Sequence, residues 1–158
     1  MSTVSSLVGV NDVPEAVRAL TTLAEPDYVD LFTVTTPMAT DKSAEEWARA
    51  VLEQASVSRR NARALWRLMG LRLGPPHSPD HVQGWKIAAR GDNWIRVETA
   101  SWYLTAQAVC LVEEWHVSLS LSLRYDRPVG ALIWNLVAGP HQRGVPVMLR
   151  QAVRLMTT

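Results

Sequence analysis

The chain has 158 residues, 47% apolar and 20% charged, which is the length of one ordinary domain and a composition far from that of a disordered chain. Its 16 basic and 15 acidic residues leave a net charge of +1, so no strong field draws in nucleic acid or an anionic membrane, and partners must be sought in sites. A single cysteine, Cys110, excludes an internal disulfide and points to a reducing, cytoplasmic location; the first residues lack the basic start and apolar core of a secretory signal, and Val129 to Ala138 falls short of the roughly 20 apolar residues a membrane span needs.

Residues 1–25 are weakly patterned and are expected at the periphery of a single domain, 1–158, although Asp12 and Pro14 suit the start of a short helix through Leu20. Tyr28 to Thr35 is rich in β-branched and aromatic residues and alternates, with Tyr28, Asp30, Phe32 and Val34 on one face, so it reads as a strand ended by Pro37. Ser43 and Glu46 form a capping box, and Ala44, Trp47, Ala48, Val51, Leu52 and Ala55 follow on one helical face. A second helix is predicted from about Arg59, burying Ala62, Leu65, Trp66 and Met69 and capped by Gly70, before Gly74-Pro75-Pro76 ends any continuation.

From Val82 the period changes to two. Val82 to Ala89 and Trp94 to Trp102 flank Arg90-Gly91-Asp92-Asn93, whose adhesion-like tripeptide reads as a hairpin turn. Tyr103 to Val112 follows with no separating Gly or Pro. Glu113-Glu114 then leads into Trp115 to Tyr125, where Trp115, Val117, Leu119, Leu121, Leu123 and Tyr125 form a core face and His116, Ser118, Ser120, Ser122 and Arg124 a wet one. The last element, Asp126 to Met156, reads as a long amphipathic helix capped by Asp126, with Pro128 in its first turn. Gly139-Pro140 and Gly144-Val145-Pro146 are expected to bend or break it. Consecutive strands with helices gathered at two places predict an α+β fold, a curved antiparallel sheet wrapped around the C-terminal helix.

The segments Ala44-Glu45-Glu46-Trp47-Ala48-Arg49, Gly84-Trp85, and Trp134 through Pro140-His141 to Val145-Pro146 carry a resemblance. From Tyr28 to Met156 the chain resembles the helix-grip superfamily (SRPBCC or START-like, birch-pollen-allergen-like), and within it a bacterial branch of domains of unknown function. The resemblance implies a sheet curved around the C-terminal helix, two short helices after the first strand, and a cavity between sheet and helix that holds an apolar ligand. Its pattern has seven strands against the five read here, so two more would lie within residues 1–25 and 72–82. It carries over no catalytic set, cofactor or metal.

Seven tryptophans against one phenylalanine are the most unusual feature of the composition. Trp47 and Trp66 read as helix core, whereas Trp85, Trp102, Trp115 and Trp134 are candidates to line a ligand cavity. His141 and Arg143 join them, because both stand at the interruption of the last helix, where freed carbonyls and polar side chains can meet a ligand oxygen or simply cap the helix. His77, His81, His116 and His141 have no metal-ligand spacing. Arg96 and Glu98 share a strand face opposite Ile95 and Val97 and read as a solvated ion pair; Arg59, Arg60, Arg63 and Arg67 read as a solvated helix edge. No nucleophile elbow, phosphate loop or dinucleotide fingerprint is present.

The leading expectation is therefore binding or carriage of a small apolar or aromatic ligand between the sheet and the C-terminal helix. Two alternatives stay open: a cyclase- or hydratase-like enzyme using the same cavity with His141 or Glu98 as acid or base, and a protein-interaction module with exposed tryptophans, a homodimer included.

Overall fold

The computed structural model describes residues 3–55 and 62–157. Its elements run β1 (Val4–Val8), α1 (Glu15–Arg18), β2 (Tyr28–Thr35), α2 (Ala44–Arg49), α3 (Arg63–Leu68), β3 (His77–Ser78), β4 (His81–Val82), β5 (Trp85–Arg90), β6 (Trp94–Ala100), β7 (Leu104–Glu113), β8 (His116–Tyr125) and α4 (Val129–Thr157). The strands form one antiparallel sheet in the order β1-β2-β8-β7-β6-β5-β4-β3. The layout is a helix-grip-like α+β fold, a curved sheet with a long C-terminal helix and short helices inserted between β2 and β3.

Three strands go beyond the five expected. β3 and β4 are two residues each, too short for a period to show, and β1 lies in the weakly patterned start, where Val4 to Val8 pair with Val34 to Asp30. Residues 4–23, expected at the periphery, thus supply an edge strand and, through α1 and its flanks, a cover for one face of the sheet.

The short helices form for the reasons their residues suggest. Ser43 and Glu46 close the capping box with two reciprocal 3.0 Å bonds, and the predicted apolar stripe from Ala44 to Ala55 is buried throughout, α2 running on into a π-turn over Ala50–Gln54. Gly70, at φ +80°, ends α3: its amide donates to the Arg67 carbonyl at 2.9 Å and the Leu71 amide to the Trp66 carbonyl at 3.0 Å, which satisfies two of the carbonyls a helix end leaves over. The expected start at about Arg59, with Arg59 and Arg60, lies outside the described residues. Arg63 is not on a solvated edge, since its guanidinium donates to the Gln83 and Gly74 carbonyls.

Five expectations are corrected. The strand expected to reach Trp102 ends at Ala100, and Ser101 closes a tight turn by donating to the Leu104 carbonyl at 2.8 Å; Trp115 likewise sits in the turn before β8 rather than on it. Asp126 does not cap α4, because its carboxylate is taken by the Thr105 hydroxyl at 2.6 Å and by Arg124 at 2.8 Å, which hold it below the ordinary carboxylate range. The wet face of β8 is dry over its middle: Ser118, Ser120 and Ser122 are buried, because Val13 and Val17 pack with Val29 and Leu31 over that side of the sheet, while His116 is exposed and Arg124 partly exposed at its ends. Finally, α4 runs unbroken through Pro140 and Pro146. Each internal proline costs a helix about 3 kcal/mol, and burial of Trp134, Val145, Met148, Leu149, Ala152 and Val153 offsets that cost.

Candidate functional site: a cavity beneath the C-terminal helix

Alternation sends Asp30 and Phe32 of β2, Ala106 and Ala108 of β7, and Leu119, Leu121 and Leu123 of β8 to one face of the sheet, where α4 packs. Between that face, α3 and α4 lies a cavity of about 230 Å³. Its roof is the stripe Val137, Pro140, His141, Gly144, Val145 and Met148 of α4, and Trp66 and Met69 close it from the α3 side. Small alanines on β7 under a roof that includes Gly144 account for the space: side chains too short to meet leave a void that bulkier residues would fill.

Three of the six candidate residues come together here. Trp85, Trp134 and His141 line the cavity, and Trp66, expected as plain core, joins them with its ring 5.4 Å from that of Trp85, edge to face. Trp102, Trp115 and Arg143 do not. Trp102 is 66% exposed and Trp115 52% exposed, in the turns at opposite ends of the ten-residue strand β7. At roughly 3.3 Å per residue they stand about 30 Å apart and cannot form one docking patch. Arg143 is two positions beyond His141, about 200° around the helix, and is exposed. Glu98 faces the other side of the sheet, where Gln107 reaches it at 3.4 Å, and Arg96 donates to the Leu20 carbonyl rather than pairing with Glu98.

The polar centre of the cavity is Asp30, which is only 1% exposed. Its Oδ1 accepts the Leu121 amide at 2.9 Å, and its Oδ2 accepts the Tyr28 hydroxyl at 2.6 Å and faces His141 Nε2 at 2.7 Å. Gln142 Nε2 donates to the Tyr28 oxygen at 3.3 Å, which leaves Tyr28 to donate onward to Asp30. Burial, and then the neighbouring Asp30 carboxylate, push the Tyr28 hydroxyl far above the ordinary phenol range, so it stays protonated and in that donor role. Its other partners all donate, so as a carboxylate Asp30 accepts from His141 as well, which then presents Nε2–H. In neutral His141 the lone pair then resides on Nδ1, which makes no hydrogen bond among the described residues. Asp30 was missed at the sequence level. One signal pointed to it: a carboxylate sharing the core face of β2 with Phe32 and Val34.

Two further donors stand out. The Nε1–H groups of Trp85 and Trp134 are buried with no hydrogen-bond partner among the described residues, although both rings line the cavity. Trp134 packs edge-on to Tyr28 at 4.9 Å and lies 5.2 Å from the His141 ring. The other histidines lie elsewhere: His77 pairs with Glu53 at 2.6 Å and His81 with the Ser78 hydroxyl at 2.9 Å, pinning the β3–β4 edge. Among the described residues no helix is long and apolar enough to cross a membrane. Comparison with protein-family models, with curated proteins and with solved structures finds no match.

Proposed function

We propose that the chain, as a member of the helix-grip superfamily it resembles, binds a small, flat, largely apolar molecule bearing hydrogen-bond acceptors in the cavity beneath α4. The observation that carries this reading is a mostly apolar cavity walled in part by the Trp85 and Trp134 rings, whose buried indole N–H groups have no partner among the described residues. A buried donor left without a partner costs about 1–3 kcal/mol, and an acceptor on a bound molecule is what relieves it. The volume, about 230 Å³, lies below the roughly 300–1,000 Å³ of drug-sized sites and suits a compound of two fused rings. A lone buried cysteine fits a reducing compartment such as the cytoplasm.

Titration of the purified protein with 2-naphthol, followed by tryptophan quenching, is expected to saturate at one equivalent. Ala108→Leu places a larger side chain in the floor of the cavity and should abolish that saturation while the protein stays folded. A wild type that shows no saturable quenching, or a variant that binds as well as the wild type, overturns the reading.

A further inference from the structure

Resting on that reading, we propose that the cavity is also a site of proton transfer, in which His141 Nδ1 is the general base and Asp30 the residue that positions it. The geometry has the parts such a base needs. A buried carboxylate at 2.7 Å holds the imidazole by Nε2–H and thereby directs the lone pair to Nδ1, while the Leu121 amide at Oδ1 and the Tyr28 hydroxyl at Oδ2 fix the carboxylate. The ring lines a mostly apolar cavity with its side chain only 20% exposed, and the Trp134 indole beside it carries a donor without a partner among the described residues.

A purely packing role accounts poorly for this arrangement. An Asp–His pair held against a sheet core is no more stabilising than apolar residues of the same volume, and it leaves Nδ1 without a hydrogen bond among the described residues. The substrate class that fits is a small flat carbon acid, such as an enolisable carbonyl compound. Nδ1 takes the proton beside the carbonyl, the C–H pair becomes the carbon–carbon double bond, and the carbonyl pair moves onto oxygen, where an indole N–H meets it. In a β,γ-unsaturated carbonyl compound the product of that step is a dienolate, and return of the same proton at its γ-carbon re-forms the carbonyl, leaves the carbon–carbon double bond conjugated with it and completes an isomerisation that needs no co-reactant.

The probe is 5-nitrobenzisoxazole, a flat two-ring carbon acid. Loss of its ring C–H proton to a base forms the nitrile as the N–O bond breaks, and the electron pair leaves on a coloured nitrophenolate. With the full chain the rate is expected to exceed the buffer rate by about 10²–10⁴-fold, the range of general-base catalysis. His141→Gln should return it to the buffer rate, while His116→Gln, at an exposed histidine outside the site, keeps it.

Asp30→Asn should lower kcat with KM unchanged, and the His141 signals in a ¹H–¹⁵N spectrum should change from the Nε2–H tautomer to the Nδ1–H one, a readout that a merely structural role would leave alone. Should His141→Gln fail to fold, Ala108→Leu serves in its place, because it blocks the cavity and leaves the dyad intact; its rate must also fall to that of buffer. Quenching that shows the probe bound, together with turnover at the buffer rate, overturns base catalysis and leaves ligand binding standing. Turnover that survives His141→Gln overturns the assignment to this residue. Absence of probe binding overturns both readings.

Discussion

The two faces of the sheet are both buried, yet they are finished differently. On the outer face, under residues 10–23, most polar groups have partners: Ser118 meets the Thr33 hydroxyl at 2.8 Å, Ser120 donates to the Asp30 carbonyl at 2.6 Å, Gln107 bonds both the amide and the hydroxyl of Thr22, and Arg96, whose Nε is buried without a partner among the described residues, still donates through its guanidinium to the Leu20 carbonyl. On the inner face, under α4, two indole donors and one imidazole nitrogen have none among the described residues, and about 230 Å³ stays open. One side of a single sheet is closed as a core is closed. The other keeps unfilled space beside unpartnered donors, as a site would, so burial alone does not separate core from function; open space lined by unpartnered groups does.

Leu31 and Leu121 offer the strongest test of that contrast, since both are 8% exposed, one in each face. Leu31→Ala should lose about 3–5 kcal/mol, because it opens a new void among Val13, Val17 and Val29, whereas Leu121→Ala, which widens an existing space, should lose about 2 kcal/mol. Urea unfolding with an unchanged slope gives both values, and equal losses would erase the distinction.

A finer test uses two buried tryptophans. Trp47 Nε1 donates to the Ala39 carbonyl at 2.8 Å, so Trp47→Phe strands a buried acceptor and should cost about 1–3 kcal/mol beyond the lost apolar area. Trp134→Phe strands nothing and removes an unsatisfied donor, so its cost should be smaller by about that amount in the ligand-free protein. At pH 8 the test at Cys110 changes no stability: the residue is on the inner face but within the filled core, and burial pushes its thiol up to about 12, so an aromatic disulfide reagent should label the protein only after unfolding. The fold binds that proton more tightly than the unfolded chain does, where the ordinary value is 9.0, so stability should fall as pH rises from 9 towards 12. Labelling of the native protein at the unfolded rate would place the thiol outside the closed core.

Much of this fold was legible because most elements are long enough to show a period. The capping box, the Ala44 to Ala55 stripe, the Gly70 cap and the alternations of β2 and β8 are each decided by neighbours a few residues away. Elements decided by distant residues were not legible. Ser118, Ser120 and Ser122 read as wet because nothing near them announces that a segment about a hundred positions earlier will cover them. The prolines of α4 read as a bend or a break because local propensity ignores the sheet beneath, and the break does not occur.

The candidate site divides in the same way. Trp85, Trp134 and His141 were visible as residue types suited to a ligand, whereas the exposure of Trp102 and Trp115 depends on where two turns fall. Asp30 became a centre only through a partner 111 positions away.

The stretch of α4 from Gly139 to Pro146 is held together less by itself than by what lies under it. Each proline removes an amide that would have closed a turn, so the Leu136 and Gln142 carbonyls lose their usual donors, and two glycines weaken the same stretch. This is also the stretch that roofs the cavity. Amide exchange there should therefore be the fastest within α4 in the empty protein and should slow when the cavity is occupied, which would make a bound molecule part of the scaffolding that keeps its own ceiling in place.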